Sequence, residues 1–524
     1  MRLDFDDRFR KELPADPNEE NSRRQVSGAL FSYVTPRVPT APKVLHVARE
    51  VAELVGLTEQ QVASDSFRDL FSGKQVAAGT RPYAMAYGGH QFGSWAGQLG
   101  DGRAINLFEV RHRDQQWTLQ LKGAGATPYS RMGDGLAVLR SSVREHLCSE
   151  AMFHLGVPTS RSLCLLTTGD EVMRDVMYDG HAAMEPGAVV CRVAPSFIRF
   201  GNFELLSSRG EIELLKKLAD YTIRHFYPDC RDGETEPYGK FFQAVCQRSL
   251  QMVLGWQRVG FVHGVMNTDN MSIHGETIDY GPYGWLEGYD PDWTPNTTDR
   301  AQRRYRYGNQ VEIVFWNLIK LANALYPLVE EAEPFEAALE EFQNDFRTQD
   351  LAMRARKLGI LDPEPSDEAL LTVLETTLQE TETDMTLFYR LLANVSPDRM
   401  DLQADDFLAP VYEAFYQPDE LVGEVLQRWR DWFEMYFYRL NQSTTSDQQR
   451  RQEMNQVNPK YVLRNYMAQL AIDAAEGGDL SVIEEIAEVL RQPYSENPQY
   501  EKWFAKRPEW ARHKVGCSML SCSS

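Results

Sequence analysis

The chain has 524 residues, 43% apolar and 25% charged, enough apolar material for a sizeable core without disulfide staples. That balance excludes a disordered chain, a collagen and a disulfide miniprotein. Its 55 basic and 76 acidic residues leave a net charge of −21, which opposes long nucleic acid and anionic membranes but leaves room for a small anion in a local basic pocket.

No apolar run approaches the roughly 18 residues of a spanning helix. The start, Met1-Arg2-Leu3-Asp4-Phe5-Asp6-Asp7, lacks the apolar core of a signal peptide, so a cytoplasmic protein is expected. Residues 1–75 read as an N-terminal extension with one amphipathic helix over 45–54. Residues 83–135 are dense in glycine, and short β-like runs alternate there with turns, as in a small sheet with ligand-facing loops. A helix is expected over 137–155, stopped by Gly156 and Pro158, with short strands at 162–166 and 189–193.

After Gly201 apolar residues recur at spacings of three and four, predicting helices over 211–226, 239–259, 311–325, 334–346, 368–378, 419–440 and 462–475. The exception is 261–283, which reads as a loop, a short hairpin and a second loop. The expected fold is α+β with two lobes and a cleft between them: an extension (1–75), a β-rich N-lobe (76–200), a helical C-lobe (201–480) and a tail (481–524).

The seven cysteines (Cys148, Cys164, Cys191, Cys230, Cys246, Cys517 and Cys522) form no C-x-x-C pair and have no zinc-type spacing. Such scatter fits a reducing compartment. Cys517 and Cys522 stand apart in a polar tail.

The chemistry concentrates in His263-Gly264-Val265-Met266-Asn267-Thr268-Asp269-Asn270, followed by Met271-Ser272-Ile273, His274-Gly275-Glu276 and Thr277-Ile278-Asp279-Tyr280-Gly281. Two strands around a His-Gly-Glu turn would bring Asn270 and Asp279 together as hard oxygen donors for Mg²⁺ on a nucleotide. Asp269 would stand beside them as a base. A capped turn is the commoner fate of T-D-N, but three oxygen ligands gathered by one hairpin favour the site.

Trp117, Leu119 and Leu121 share one strand face, which turns Lys122 to the other, ahead of Gly123 and Gly125. Lys122 suits a phosphate; a solvated strand-end lysine is the plain alternative. Glu145 on the next helix could pair with it, and Glu150 is the rival. Gly100, Gly102 and Arg103 form a glycine loop open to phosphate, a weak signal alone. Asp134-Gly135 is a similar turn at an expected helix start, where a cap is the simple explanation. Arg192 and Arg199, in a largely apolar stretch, need anionic partners, either carboxylates or phosphates.

Together these residues resemble the selenoprotein O family of kinase-like proteins. The resemblance spans nearly the whole chain. It includes Tyr87-Gly88-Gly89-His90-Gln91-Phe92-Gly93, the run from Lys122 to Met152, that from His263 to Gly284, Asn458-Pro459-Lys460-Tyr461-Val462-Leu463-Arg464-Asn465, and the Cys522-Ser523-Ser524 ending. It implies a protein-kinase-like fold with family-specific extensions that binds ATP inverted and transfers AMP to protein hydroxyls, with Mg²⁺ or Mn²⁺ and with UTP as a further donor.

Carried over, Lys122 would hold phosphates and pair with Glu145. Gly100, Gly102, Arg103, Asp134 and Gly135 would line the nucleotide site, and Arg192 and Arg199 would grip the phosphate tail. Asp269 would accept the proton, and Asn270 and Asp279 would bind metal. Cys522 takes the place of the selenocysteine of animal relatives, a candidate redox residue. The 293–299 loop lacks the cysteine of several bacterial relatives, which puts a tail-to-loop disulfide in doubt. The alternatives are a conventional kinase and a silent nucleotide-binding scaffold. The expected partners are ATP and hydroxyl-bearing proteins, without nucleic acid or membrane.

Overall fold

The computed structural model describes residues 3–177, 179–231, 237–398, 400–404, 406–517 and 519–521. Its first ten strands, in chain order, are β1 (Phe31–Tyr33), β2 (Lys43–Val47), β3 (Tyr83–Met85), β4 (Gly88–Gln91), β5 (Ser94–Gln98), β6 (Ala104–His112), β7 (Gln115–Lys122), β8 (Ala137–Val138), β9 (Arg161–Arg174) and β10 (Ala183–Ala194); a short antiparallel pair, Phe261–Val262 with Gly284–Trp285, follows in the helical half. The main sheet runs β1-β3-β6-β7-β10-β9-β2, with β8 on β10, and its pairings are antiparallel. β4 and β5 form a separate hairpin.

Alternation along β7 sets the two faces of the sheet. Leu119 and Leu121 join Ile105, Val189 and Cys191 in a core closed by Val51, Phe67 and Leu70 from the helices Arg49–Leu54 and Asp65–Phe71. The alternate residues carry a polar row across three strands, Asn106 opposite Gln120 and Gln120 opposite Arg192. Lys122 closes the same face of β7.

From Phe200 onward the chain is mainly helical, giving the α+β, kinase-like two-lobed architecture that the sequence predicts. Several boundaries differ. Residues 45–54 are not one helix: Lys43–Val47 is a strand on β9, and the helix starts only at Arg49. The β-branched Val44 and Val47 pair with Leu166 and Cys164, and sheet pairing overrides helical spacing there. The helix expected over 137–155 is Leu139–His154, because Ala137 and Val138 are spent pairing with β10.

The 334–346 helix extends over Glu333–Lys357, and the one expected from 419 starts at Gly423, after a 3₁₀ turn at Pro418–Glu420. Helices Phe200–Ser208, Met385–Leu392, Asp447–Val457 and Ser481–Arg491 escaped the periodicity reading. Asp384 caps one of them through Leu387 N, at 3.0 Å, and Arg464 grips both Asp384 oxygens at 2.7 and 2.8 Å. That buried pair anchors the Asn458–Asn465 motif. Among the described residues no helix is long and apolar enough to cross a membrane.

The tail lies on the loop after residues 263–282. Thr297 N donates to Leu520 O at 2.8 Å and Leu520 N to Pro295 O at 3.3 Å. Cys517 is not an exposed tail thiol: it is buried, its carbonyl accepts from Asn465 Nδ2 at 2.7 Å, and burial pushes its thiol up to about 11. Cys522 lies outside the described residues.

Candidate active site

Between the sheet's polar row and the 263–282 segment lies a cavity of about 840 Å³. Gly100, Gly102, Arg103, Lys122, Asp134, Gly135, Arg192, Arg199, Asp269, Asn270 and Asp279 all line it. Glu145 does not reach the cavity wall but stands behind Lys122. Residues that are 179 positions apart in the chain, Gly100 and Asp279, thus share one chamber.

Lys122 Nζ meets Glu145 Oε2 at 2.5 Å. Burial lowers the Lys122 ammonium's pKa, an effect that Glu145 opposes. The rival, Glu150, is bound instead by Arg161 at 2.7 Å. Glu145 also takes Arg192 Nη1 at 3.3 Å, which ties the helix Leu139–His154 to β7 and β10 at one carboxylate.

Asp279 is the electrostatic hub. Arg192 Nη1 lies 2.5 Å from its Oδ1, and Arg199 Nη1 contacts its Oδ2. Burial would raise its carboxyl, but Arg199, Arg192 and Lys122 outweigh that and hold it well below the usual carboxylate range. Its backbone sits at φ 58, left-handed, a conformation that aspartate tolerates better than most residues. The expected hairpin around it is reduced to one bridge, Met271 to Thr277, closed by Gly275 N on Ser272 O at 3.1 Å. His263 Nε2 lies 2.9 Å from Ile278 O, a second hold on the same turn.

Asp269 is buried, and its Oδ2 accepts from Gln91 Nε2 at 3.1 Å. Its Oδ1 has no hydrogen-bond partner and faces Gly89, where an added Cβ would come within 2.5 Å of it. Burial pushes the Asp269 carboxyl up to about 7, partly offset by Gln91 and Arg199. Arg199 Nη1 also donates to the Asp269 carbonyl at 2.8 Å. Asn270 Nδ2 donates to Val265 O at 2.9 Å, which leaves the amide oxygen as its remaining acceptor.

The opposite rim is shaped by close approach. A Cβ on Gly135, at φ 76, would come within 2.2 Å of the Gly125 backbone, and one on Gly100 within 2.5 Å of Tyr129. Asp134 is not a helix cap, since the next helix starts at Leu139. It holds the loop instead, accepting Leu136 N at 2.9 Å and pairing with Arg174 at 2.7 Å.

Two groups here escaped the residue-by-residue reading. Asp101 read only as the middle of a glycine loop, yet it is buried, accepts Met85 N at 3.0 Å and lies 3.8 Å from Arg199. The β4–β5 hairpin carried no assigned chemistry. It supplies Gln91 to Asp269, His90 N to Thr268 Oγ1 at 2.7 Å and Phe92 N to Asn267 Oδ1 at 3.1 Å.

The donors near Asp279 are hard oxygens, and an ionised carboxylate bound by two arginines keeps further lone pairs. Among the described residues no three His, Cys, Asp or Glu side chains gather as a metal cage. A divalent ion here would complete its shell from phosphate and water, as Mg²⁺ does on nucleotides. The donor set fits such an ion.

A sheet-borne lysine paired to a helix glutamate, facing an Asp-Asn and Asp pair across a cleft, defines a kinase-like nucleotide transferase. The comparisons give the particular group. A family model described as "Protein adenylyltransferase SelO" matches residues 18–491. The chain is 56% identical over 522 residues to "Protein nucleotidyltransferase YdiU" of Flavobacterium johnsoniae, covering 100% of this chain and 99% of the relative. It is 55% identical over 539 residues to the protein of that name from Rhodopirellula baltica, with the same coverage. The chain belongs to the SelO family and is a protein nucleotidyltransferase.

Proposed function

We propose that this enzyme transfers AMP from ATP to Ser, Thr or Tyr hydroxyls of proteins and releases pyrophosphate, with UTP as a second donor of UMP. The nucleotide would lie inverted, its outer phosphates toward Lys122, Arg103, Arg192 and Arg199 and its α-phosphate toward Asp269. Asn270 and Asp279 would hold Mg²⁺ or Mn²⁺, which supplies charge neutralisation at the phosphates. Gly100, Gly102, Asp134 and Gly135 would form the rim of the nucleotide site. Asp269 would take the acceptor's proton as its oxygen attacks.

The observation that carries this reading is the crowding of cations on the sheet side of the cavity. Two buried guanidiniums accompany the lysine there, paired with Glu145, Asp279 and Asp101, and a metal ion on Asp279 would leave them to face phosphate. A departing pyrophosphate concentrates negative charge where those groups stand.

ATP labelled at the α- or the γ-phosphate tests the reading directly. Label from the α position should appear on protein and label from the γ position should not. Transfer of γ label would make the enzyme a conventional kinase, and transfer of neither would leave a nucleotide-binding scaffold.

Arg192→Ala and Arg199→Ala should each weaken ATP binding more than AMP binding. A charge-assisted contact is worth about 1.5–3 kcal/mol, so a tenfold or larger loss, roughly, is expected for ATP. Titration calorimetry with both nucleotides checks it. Equal losses would confine these arginines to holding Asp279.

A further inference from the structure

The hairpin β4–β5 lies over the catalytic segment although nothing in the proposed chemistry requires it there. Its tip residues touch three consecutive positions: Phe92 N on Asn267 Oδ1, His90 N on Thr268 Oγ1 and Gln91 Nε2 on Asp269 Oδ2. The hairpin is itself pinned. His90 Nδ1 lies 2.6 Å from the buried Glu204, and Tyr305 OH donates to Asn267 Oδ1 at 2.6 Å beside Phe92. Gly89 packs so tightly on Asp269 that a side chain there would collide with the carboxylate.

We infer that Gln91 is a positioning residue for nucleotidyl transfer: with Gly89 behind it, its amide fixes the Asp269 carboxylate in one orientation. The inference rests on the reading of Asp269 as the proton acceptor. Oδ1 is sealed against Gly89 without a partner, so Oδ2 is the oxygen left to work. An ionised carboxylate oxygen has two lone pairs. One takes the Gln91 N–H and the other remains for the acceptor hydroxyl.

In the step served, the hydroxyl proton passes to Asp269 Oδ2 and the hydroxyl oxygen bonds to the α-phosphorus. The bond from that phosphorus to the bridging oxygen of the β-phosphate breaks, and pyrophosphate carries off the electron pair. A carboxylate free to rotate would spend part of its time with the accepting lone pair turned away, and small misplacements of a reacting group cost rate steeply.

Four full-length proteins test this: Gln91→Leu, Gln91→Met, Asp269→Asn and the Gln91→Leu/Asp269→Asn double variant. Gln91→Met keeps the side-chain length, loses the donor and adds no charge, so it serves if Gln91→Leu fails to fold; unfolding midpoints establish which variants are folded. Each Gln91 change should lower kcat on the order of 10²-fold. Kd for ATP, measured by calorimetry, should stay within about twofold of the parent, because uniform binding is untouched. In the double variant the Gln91 change should add no further loss to that of Asp269→Asn.

Full kcat in a folded Gln91 variant, with Asp269→Asn inactive, would overturn the positioning role and leave the proton acceptor standing. A fully active Asp269→Asn would overturn the proton acceptor and this inference with it. A kcat loss that tracks weakened ATP binding, or that adds to the Asp269→Asn loss, would assign Gln91 to the nucleotide and overturn the inference.

Discussion

Asp279→Asn should abolish nucleotidyl transfer in a protein that still folds. Asparagine tolerates the left-handed backbone at φ 58 and keeps one oxygen as an acceptor, but it surrenders the anion on which both arginines and any metal depend. Arg192 keeps Glu145 at 3.3 Å and Arg199 keeps Asp101 at 3.8 Å, so neither guanidinium is stranded entirely. Asp279→Ala is harsher. It removes both acceptor oxygens, sets a Cβ-only residue at positive φ, and should cost stability of about 3–5 kcal/mol, as for breaking a buried ion pair. Label transfer and denaturant unfolding of the two variants separate chemistry from folding. Normal turnover by folded Asp279→Asn would remove this turn from the active site.

Asp269→Asn should lower transfer about 10²- to 10⁴-fold, the usual worth of a general base. Its pH signature has a definite sign. A base must be ionised to act, and burial holds the Asp269 carboxyl near 7, so the rate should climb as pH rises through about 7. A cation bound beside it moves that limb to lower pH. The same raised value means that the folded protein binds this proton more tightly than the unfolded chain does. Its contribution to stability is therefore present below the ordinary value of 3.8 and is lost as pH rises toward 7. An initial-rate profile of the parent, with the limb missing from the residual activity of Asp269→Asn, is the check. A flat profile through neutrality would contradict the assignment.

Alternation was the reliable guide to one wall of the cavity. Leu119 and Leu121 against Gln120 and Lys122 fixes which side of β7 is polar, and the structure turns that side to the cavity. The choice between Glu145 and Glu150 could not be made from spacing, because it depends on Arg161, which arrives from β9 to claim Glu150. Asp101 was invisible for a related reason. Its importance comes from Met85 and Arg199, brought from two other stretches of chain. Gln91 meets Asp269 across 178 residues of sequence, a pairing that no local pattern encodes. Local chemistry was legible, and partnerships across the fold were not.

The first 47 residues deliver both edges of the main sheet: β1 borders β3 at one end and β2 borders β9 at the other. Shortening the protein to its β-rich and helical parts, from about residue 76 onward, would therefore do more than trim a surface. It would uncover a row of unpaired amides and carbonyls along β9, the longest strand of the sheet, and a second row along β3. Open edges recruit other open edges, so such a fragment should self-associate into aggregates even if its catalytic chamber formed. The early residues cap both edges of the sheet, and a shortened form that retains them should stay dispersed where one that lacks them aggregates.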